Sequence, residues 1–187
     1  MDEIVAGVFH WSAYHPGIGS TVHSHFVASS GTAIDPLEPP ADLAAERVVL
    51  TNRHHLRHAE RLGVPILCNE AGLHEFAGGP EVEGFAVGDE VAPGITAQEM
   101  GGICPDDTAL LIDAGPGVLA FADAVVRRGD GPLAFVPDSL WGDPERDKAA
   151  VRRSLERLVE LDFDALLFAH GAPVASGGKA AIREFLS

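Results

Sequence analysis

The strongest architectural signal lies in residues 143–168. Asp143-Pro144 reads as a side-chain cap followed by proline at the first helical position, where a missing amide is tolerated. Val151, Leu155, Leu158 and Val159 then recur at helical spacing, while Arg152, Arg153, Glu156 and Glu160 fall away from that face. Asp162 ends this helix, and Ala165-Leu166-Leu167-Phe168 follows as a wholly apolar strand. A strand without polar alternation belongs inside a sheet covered on both faces. After Ala169-His170-Gly171, Ser176 can cap a last helix through Ile182, Phe185 and Leu186.

The first third of the chain reads as β. Strands are expected at Ile4–Phe9, Thr21–Ala28 and Thr32–Asp35, with Ser29-Ser30-Gly31 as the turn between the last two. The Gly- and Pro-punctuated stretch His10–Gly19 reads as a loop whose Trp11 and Tyr14 suit the wall of a pocket. A short helix is expected at Ala41–Ala45, a strand at Val48–Thr51, and a helix from about Leu56 to Leu62 stopped by Gly63. Further strands are expected at Pro65–Cys68, Val82–Phe85, Thr108–Ile112, Val118–Ala122 and Leu133–Val136. Both halves contribute strands and helices, which predicts two sheets packed face to face with helices outside. No linker divides the chain, so residues 1–187 are read as one domain.

Charge and composition narrow the partners. With 28 acidic residues against 13 Lys and Arg, the formal charge is −15, which argues against a nucleic-acid backbone as partner. No apolar run approaches ~20 residues, so no membrane span is expected. Met1-Asp2-Glu3 lacks the basic start of a signal peptide. Cys68 and Cys104 are too few for a disulfide framework, and a reducing cytoplasm is the simplest compartment. A small-molecule substrate or ligand is the expected partner, with a partner protein as the alternative.

The chemistry concentrates in Leu50-Thr51-Asn52-Arg53-His54-His55-Leu56-Arg57-His58, where three histidines follow a β-branched strand. Loops at the carboxyl ends of strands are common places for sites, and imidazole is the commonest metal ligand. Solvated histidines at a polar helix start would give the same pattern. Arg53 and Arg57 could hold a negatively charged group of a substrate, or balance nearby acids. His23 and His25 alternate on one strand and read first as an exposed face.

Four segments in order resemble the metallo-β-lactamase superfamily, especially its small glyoxalase II-like hydrolases. Ala33-Ile34-Asp35-Pro36 is similar to the strand that leads into the family's first buried aspartate. Leu50–Arg57 stands at the place of its T-H-x-H-x-D-H loop. Ala92-Pro93-Gly94-Ile95-Thr96 looks like its T-P-G-H-T turn, and Val118–Asp123 like its strand ending in G-D. Ser154–Asp164 followed by Phe168-Ala169-His170-Gly171-Ala172-Pro173 resembles its helix, acidic turn, strand and final G-H-G-x-P. The resemblance implies an αββα sandwich and metal-dependent hydrolysis.

The metal ligands depart from that pattern. Asn52, His54, Leu56 and Arg57 occupy the loop's ligand places, and Ile95 stands for the histidine of the turn. Of the ligands the resemblance implies, His54, Asp123 and His170 keep donor atoms. His58, or else His55, could complete a shell with them and hold one zinc, iron or manganese ion. Without a metal, Arg57 could fill the gap and pair with Asp123. Two functions remain open at this point. One is a mononuclear hydrolase of a small ester or thioester, with His54, Asp123 and His170 as catalytic ligands and Arg53, Arg57, Trp11 and Tyr14 at the substrate. The other is a protein of the same fold that has lost its metals and binds a small ligand or partner.

Overall fold

The computed structural model describes residues 1–187 as two packed sheets. The first contains β1 (Asp2–Val5), β2 (Val8–His15), β3 (Ser20–Val27), β4 (Thr32–Ile34), β5 (Arg47–Val49), β6 (Ile66–Asn69) and β7 (Glu83–Phe85), neighbours in chain order. Pairing is antiparallel up to β4 and parallel from there to β7. The second sheet is built from β8 (Glu90–Ala92), β9 (Ile95–Glu99), β10 (Thr108–Ile112) and β11 (Val118–Phe121). A two-stranded ribbon, β12 (Val125–Arg127) and β13 (Leu133–Phe135), and the helix α1 (Pro144–Leu158) then lead to β14 (Ala165–Phe168), which pairs with β11 in parallel. The helix α2 (Gly178–Leu186) ends the chain.

Three apolar clusters make the layers. Val8, Val27, Ile34 and Val49 of the first sheet meet Ile95, Leu110, Ala120 and Leu167 of the second. On the far side of the second sheet, Leu119, Phe121, Leu166 and Phe168 pack against Val151 and Leu155 of α1 and Ile182 of α2. This explains the wholly apolar β14, whose residues alternate between two cores. Leu155 is fully buried, and truncation of such a leucine to alanine costs about 2–5 kcal/mol. On the outer face of the first sheet, Trp11, Phe26, Val48 and Leu50 are covered by Ala59 and Phe76. Those two covering residues belong to 3-10 turns, Ala59–Leu62 and Glu70–Phe76. The architecture is thus an α/β sandwich with α-helices over one sheet and short 3-10 turns over the other.

Several expected elements change. Residues 10–15 are strand, not loop: the β2–β3 ladder runs without interruption from Val8↔Val27 to His15↔Ser20. Glycine and proline punctuate only the Pro16–Gly19 turn, and a second turn at Gly7 (φ +78°) splits the expected first strand in two. Ala41–Ala45 forms turns rather than a helix. The helix expected from Leu56 is also missing. Arg57 has φ +42° in the left-handed region, and the His58 amide donates to Pro36 O instead of joining an α-turn. Its apolar spacing still marks the correct face, since Leu56, Ala59 and Leu62 all pack on the first sheet. Asp143 caps α1 by accepting from the Arg146 amide, as expected, whereas α2 is preceded by Gly177 with no side-chain cap.

Candidate metal centre

Strand register brings the centre together. β11 and β14 run parallel with Phe121 opposite Phe168, so Asp123 and His170 each lie two residues past a matched pair. Likewise β4 and β5 are parallel with Ile34 opposite Val49, which sets Asp35 beside Thr51. The Thr108 amide donates to Thr51 O, and the His23 amide to Ala169 O, joining the two sheets at this end. Gly171, at φ +121°, lets the chain turn after His170. A Cβ there would sit 2.4 Å from Arg127 O.

Asn52 then aims the imidazole. Its carboxamide oxygen accepts from the His54 amide and its carbonyl from the His55 amide, closing the 3-10 turn Arg53–His55. The third residue of that turn, His55, faces inward and is 3 % exposed. His55 Nδ1 lies 2.9 Å from Asp35 Oδ2, and Nε2 lies 3.0 Å from Asp123 Oδ1. His170 Nε2 is 3.1 Å from the same Asp123 oxygen. One ligand atom from each of His55, Asp123 and His170 falls within 4.8 Å of the others. Asp35 is itself fixed by the Thr51 amide at 2.8 Å and the Thr51 hydroxyl at 2.5 Å.

Burial alone would drive His55 to the neutral form, but the Asp123 and Asp35 carboxylates on either side push its pKa up to about 9. Burial likewise works against the Asp123 carboxylate, yet the imidazoles of His55 and His170 hold it well below the usual carboxylate range. Asp35 is also held low: His55 and the Thr51 hydroxyl overcome its burial. A neutral His55 that donates to Asp35 would turn an Nε2 lone pair on the Asp123 carboxylate. The other neutral tautomer would donate to Asp123 and turn its Nδ1 lone pair on Asp35 and the Thr51 hydroxyl, 2.9 Å away; an imidazolium proton or a metal ion at Nε2 satisfies both carboxylates at once.

Asp123 Oδ2 has different company. Asn52 Nδ2 donates to it at 2.9 Å and to Asp107 Oδ1 at 2.7 Å. Asp107 also accepts from the Ile103 amide at 2.8 Å and the Cys104 thiol at 3.2 Å. A side chain at residue 102 would collide with this carboxylate, for a Cβ on Gly102 would lie 1.7 Å from Asp107 Oδ2. Burial and the neighbouring Asp123 charge push Asp107 up to about 6, against the pull of Asn52 and Cys104. Burial and the Asp107 carboxylate in turn raise the Cys104 thiol.

The residues singled out in the sequence are distributed unevenly. Asp123 and His170 are in the three-residue group, and the histidine that joins them is His55, not His54 or His58. His54 is exposed and lines the adjoining cleft, because the Asn52 cap turns its neighbour inward. His58 accepts from the Glu38 amide through Nδ1. Arg53 lies against Asp106, His74 and Glu75, away from the cleft. Arg57 reaches the cleft, but its guanidinium donates to His23 O at 3.0 Å and Asp35 O at 2.8 Å rather than pairing with Asp123. Trp11 is buried in the outer core with Nε1 donating to Leu37 O, and Tyr14 is 61 % exposed outside the cleft. His25, expected on an exposed face, is buried with Nε2 bonded to Phe168 O.

The Ala92–Thr96 segment forms the β8–β9 turn at the other end of the second sheet, where Gly94 O accepts from the Asp113 amide. It cannot supply a ligand or a stand-in for one. The loop that faces the centre is 100–107, from which Ile103 lines the cleft. Asp107 and the inward amide of Asn52 escaped the sequence reading. The available signal was Asp106-Asp107 directly before an apolar strand, a pattern that also describes an ordinary polar turn.

Two imidazole nitrogens and a carboxylate oxygen suit one transition-metal ion. They match a zinc site with three protein ligands and an open position, or the two-histidine, one-carboxylate set used by iron(II). Asp35 supports the fit, since a carboxylate 2.9 Å from His55 Nδ1 favours the tautomer that carries its proton there and leaves Nε2 free as a ligand. The Oδ2 side does not fit a second ion, because the Asn52 amide presents N–H donors there. Beside the group lies a cleft of about 570 Å³, lined among others by Ile18, Val22, Val126, Arg128, Val136 and Leu140.

No family model and no curated protein matches the sequence. Solved structures do match. A metallo-beta-lactamase family protein from Thermus thermophilus is similar at 16% identity and TM-score 0.68, over 98% of this chain and 79% of that one. A metallo-beta-lactamase from Pontibacter korlensis is similar at 17% identity and TM-score 0.68, over 99% and 97%. The protein TTHA1623, solved in a di-iron-bound form, is similar at 20% identity and TM-score 0.60, over 91% of each chain. With its two mixed sheets, their order and the helices over one of them, this chain has the metallo-β-lactamase fold.

Proposed function

We propose that the protein is a mononuclear metal-dependent hydrolase of a small ester or thioester, with His55, Asp123 and His170 as the metal ligands. The observation that carries this reading is the convergence of the three donor atoms at the foot of the cleft, backed by Asp35. A zinc, iron or manganese ion held there would supply Lewis acidity toward the scissile carbonyl and a nucleophilic water at neutral pH. The chain's own residues do the rest. Asp35 and Thr51 orient His55, Asn52 orients Asp123, and the apolar walls position the acyl group and limit the water around it. His170, about a quarter exposed, stands where the cleft opens onto the group.

The structure of TTHA1623 with two irons supports metal binding by this fold. Here the amide of Asn52 supports a single ion. The free, buried cysteines fit a reducing compartment such as the cytoplasm, and no helix is long and apolar enough to cross a membrane. A second reading rests on the Asp35–His55–Asp123 chain, which is fully satisfied by an imidazolium and would suit a metal-free ligand-binding protein. Metal analysis decides between them. Protein prepared with zinc, manganese or iron(II) should carry about one ion per chain and cleave p-nitrophenyl esters. Protein that stays metal-free under all three conditions would overturn the hydrolase reading.

A further inference from the structure

The cleft inverts the sign of the molecule. On a chain of net charge −15, Arg57, Arg127 and Arg128 line it together with several histidines, and Asp123 is its one carboxylate. A cleft of one sign with low-dielectric walls concentrates ligands of the opposite sign.

The three arginines are not equivalent. Arg57 is half-buried and anchored through Nη1, which donates to the carbonyls of His23 and Asp35. Arg127 donates through Nε to Gly131 O at 3.0 Å and through its terminal nitrogens to Ala172 O, Pro173 O and Asp130 O. It clips the β12–β13 ribbon to the segment after His170, and these bonds take four of its five N–H donors. Arg128 is exposed and lines the same cleft; its carbonyl accepts from the Gly131 amide, but its guanidinium makes no hydrogen bond or ion pair within the chain. The apolar surface falls in the same place. Of five large hydrophobic residues left exposed, Ile18 at 57 % and Leu140 at 53 % both line this cleft, so it offers a ligand apolar surface beside its cations.

We propose that the substrate carries a carboxylate on an apolar body, and that Arg128 is the specificity-determining residue that receives the carboxylate while Ile18 and Leu140 cover the body. That the bound molecule is a substrate rests on the hydrolase reading; the anion site itself does not. A single unpaired guanidinium, with its planar fork of N–H donors, matches a carboxylate in a bidentate arrangement.

Two measurements test this. The first compares mono-p-nitrophenyl adipate with p-nitrophenyl hexanoate, esters of similar length with and without the distal carboxylate. In Arg128→Ala the ratio of their kcat/KM values should fall roughly ten- to a hundredfold, with Arg128→Lys between the two, since a hydrogen-bonded charge is lost. An unchanged ratio overturns the proposal. The second measures calorimetric binding of phenylbutyrate and phenylbutyramide, which needs no turnover. The acid should bind more tightly than the amide, and Arg128→Ala should remove that preference. Equal binding of the two by the wild-type protein, or a preference that survives Arg128→Ala, overturns the proposal. Arg128-dependent binding without ester cleavage upholds it while overturning the hydrolase reading.

Discussion

Asp123 Oδ1 lies between His55 Nε2 and His170 Nε2, whereas Oδ2 of the same carboxylate takes a hydrogen from Asn52 Nδ2. An imidazole nitrogen is a donor or a lone pair according to its protonation, so the Oδ1 side can exchange a proton for a metal ion without moving a side chain. A carboxamide N–H is a donor under all ordinary conditions. The Oδ2 side therefore closes the space that a second ion would need, and it does so with a buried hydrogen bond rather than a bulky residue. One carboxylate has one exchangeable face and one structural face.

Replacing His170 gives the largest effect expected from this asymmetry. His170→Ala should reduce metal content from about one ion per chain to none and abolish ester cleavage, because only two protein ligands remain. The fold should persist, since His170 lies past the end of β14 and is partly exposed. Retention of a full equivalent of metal in this variant would show that the ion lies elsewhere and break the comparison.

A pH series on metal-free protein sharpens it. The folded pKa of His55, about 9, lies above its ordinary value of 6.5. Its stabilising contribution is therefore complete below 6.5 and is lost as pH rises through about 9, in total roughly 3 kcal/mol. Thermal denaturation should show Tm falling over that window in metal-free protein. With a bound ion, His55 is a neutral ligand and the fall should be much shallower. Parallel Tm profiles with and without metal would show that no ion displaces the His55 proton.

Asn52→Leu probes the other face. The leucine keeps the branched shape but leaves Asp123 Oδ2 without this donor, Asp107 Oδ1 with only the thiol and the His54 amide without its cap. A loss of about 2 kcal/mol in urea denaturation is expected, as for other buried bonds to a charged group. Metal content should not rise above one ion per chain, since leucine contributes no ligand. If stability is unchanged, the amide bridge is not holding the two carboxylates.

How legible this was in the sequence follows from the range of the interactions involved. α1 and β14 were readable because each is a local pattern, a capped apolar stripe and an unbroken apolar run. Asp123 and His170 stand out as candidates because strands and short motifs place them. Their convergence, however, is a property of the parallel β11–β14 register, which no local pattern encodes. His54 and His55 differ by one residue, and a helix from Leu56 would have directed the first inward together with His58. The left-handed backbone at Arg57 and the Asn52 cap rotate the turn so that the second points inward. Trp11 was misplaced because glycine and proline near a strand end suggested a loop, while cross-strand pairing with Ser24 kept the backbone extended. Asp107 owes its role wholly to partners distant in the chain, Asn52 and Asp123, and nothing in its neighbours announces that.

The smallest expected effect tests whether the structural face responds to protons at all. The Cys104 thiol donates to Asp107, whose folded pKa of about 6 lies above the ordinary 3.8 because burial and Asp123 disfavour its charge. Asp107 therefore favours folding below 3.8 and loses that contribution as pH rises through about 6. The thiol bond favours the ionised carboxyl and so offsets part of this loss. Its removal in Cys104→Ala should cost about 1 kcal/mol at about pH 8 and clearly less at about pH 4.5. Urea midpoints for the wild type and the variant at the two pH values give the difference directly. A cost that is equal at both would assign Cys104 to packing alone, and the protonation of Asp107 would then be set by Asn52 and Asp123 without it.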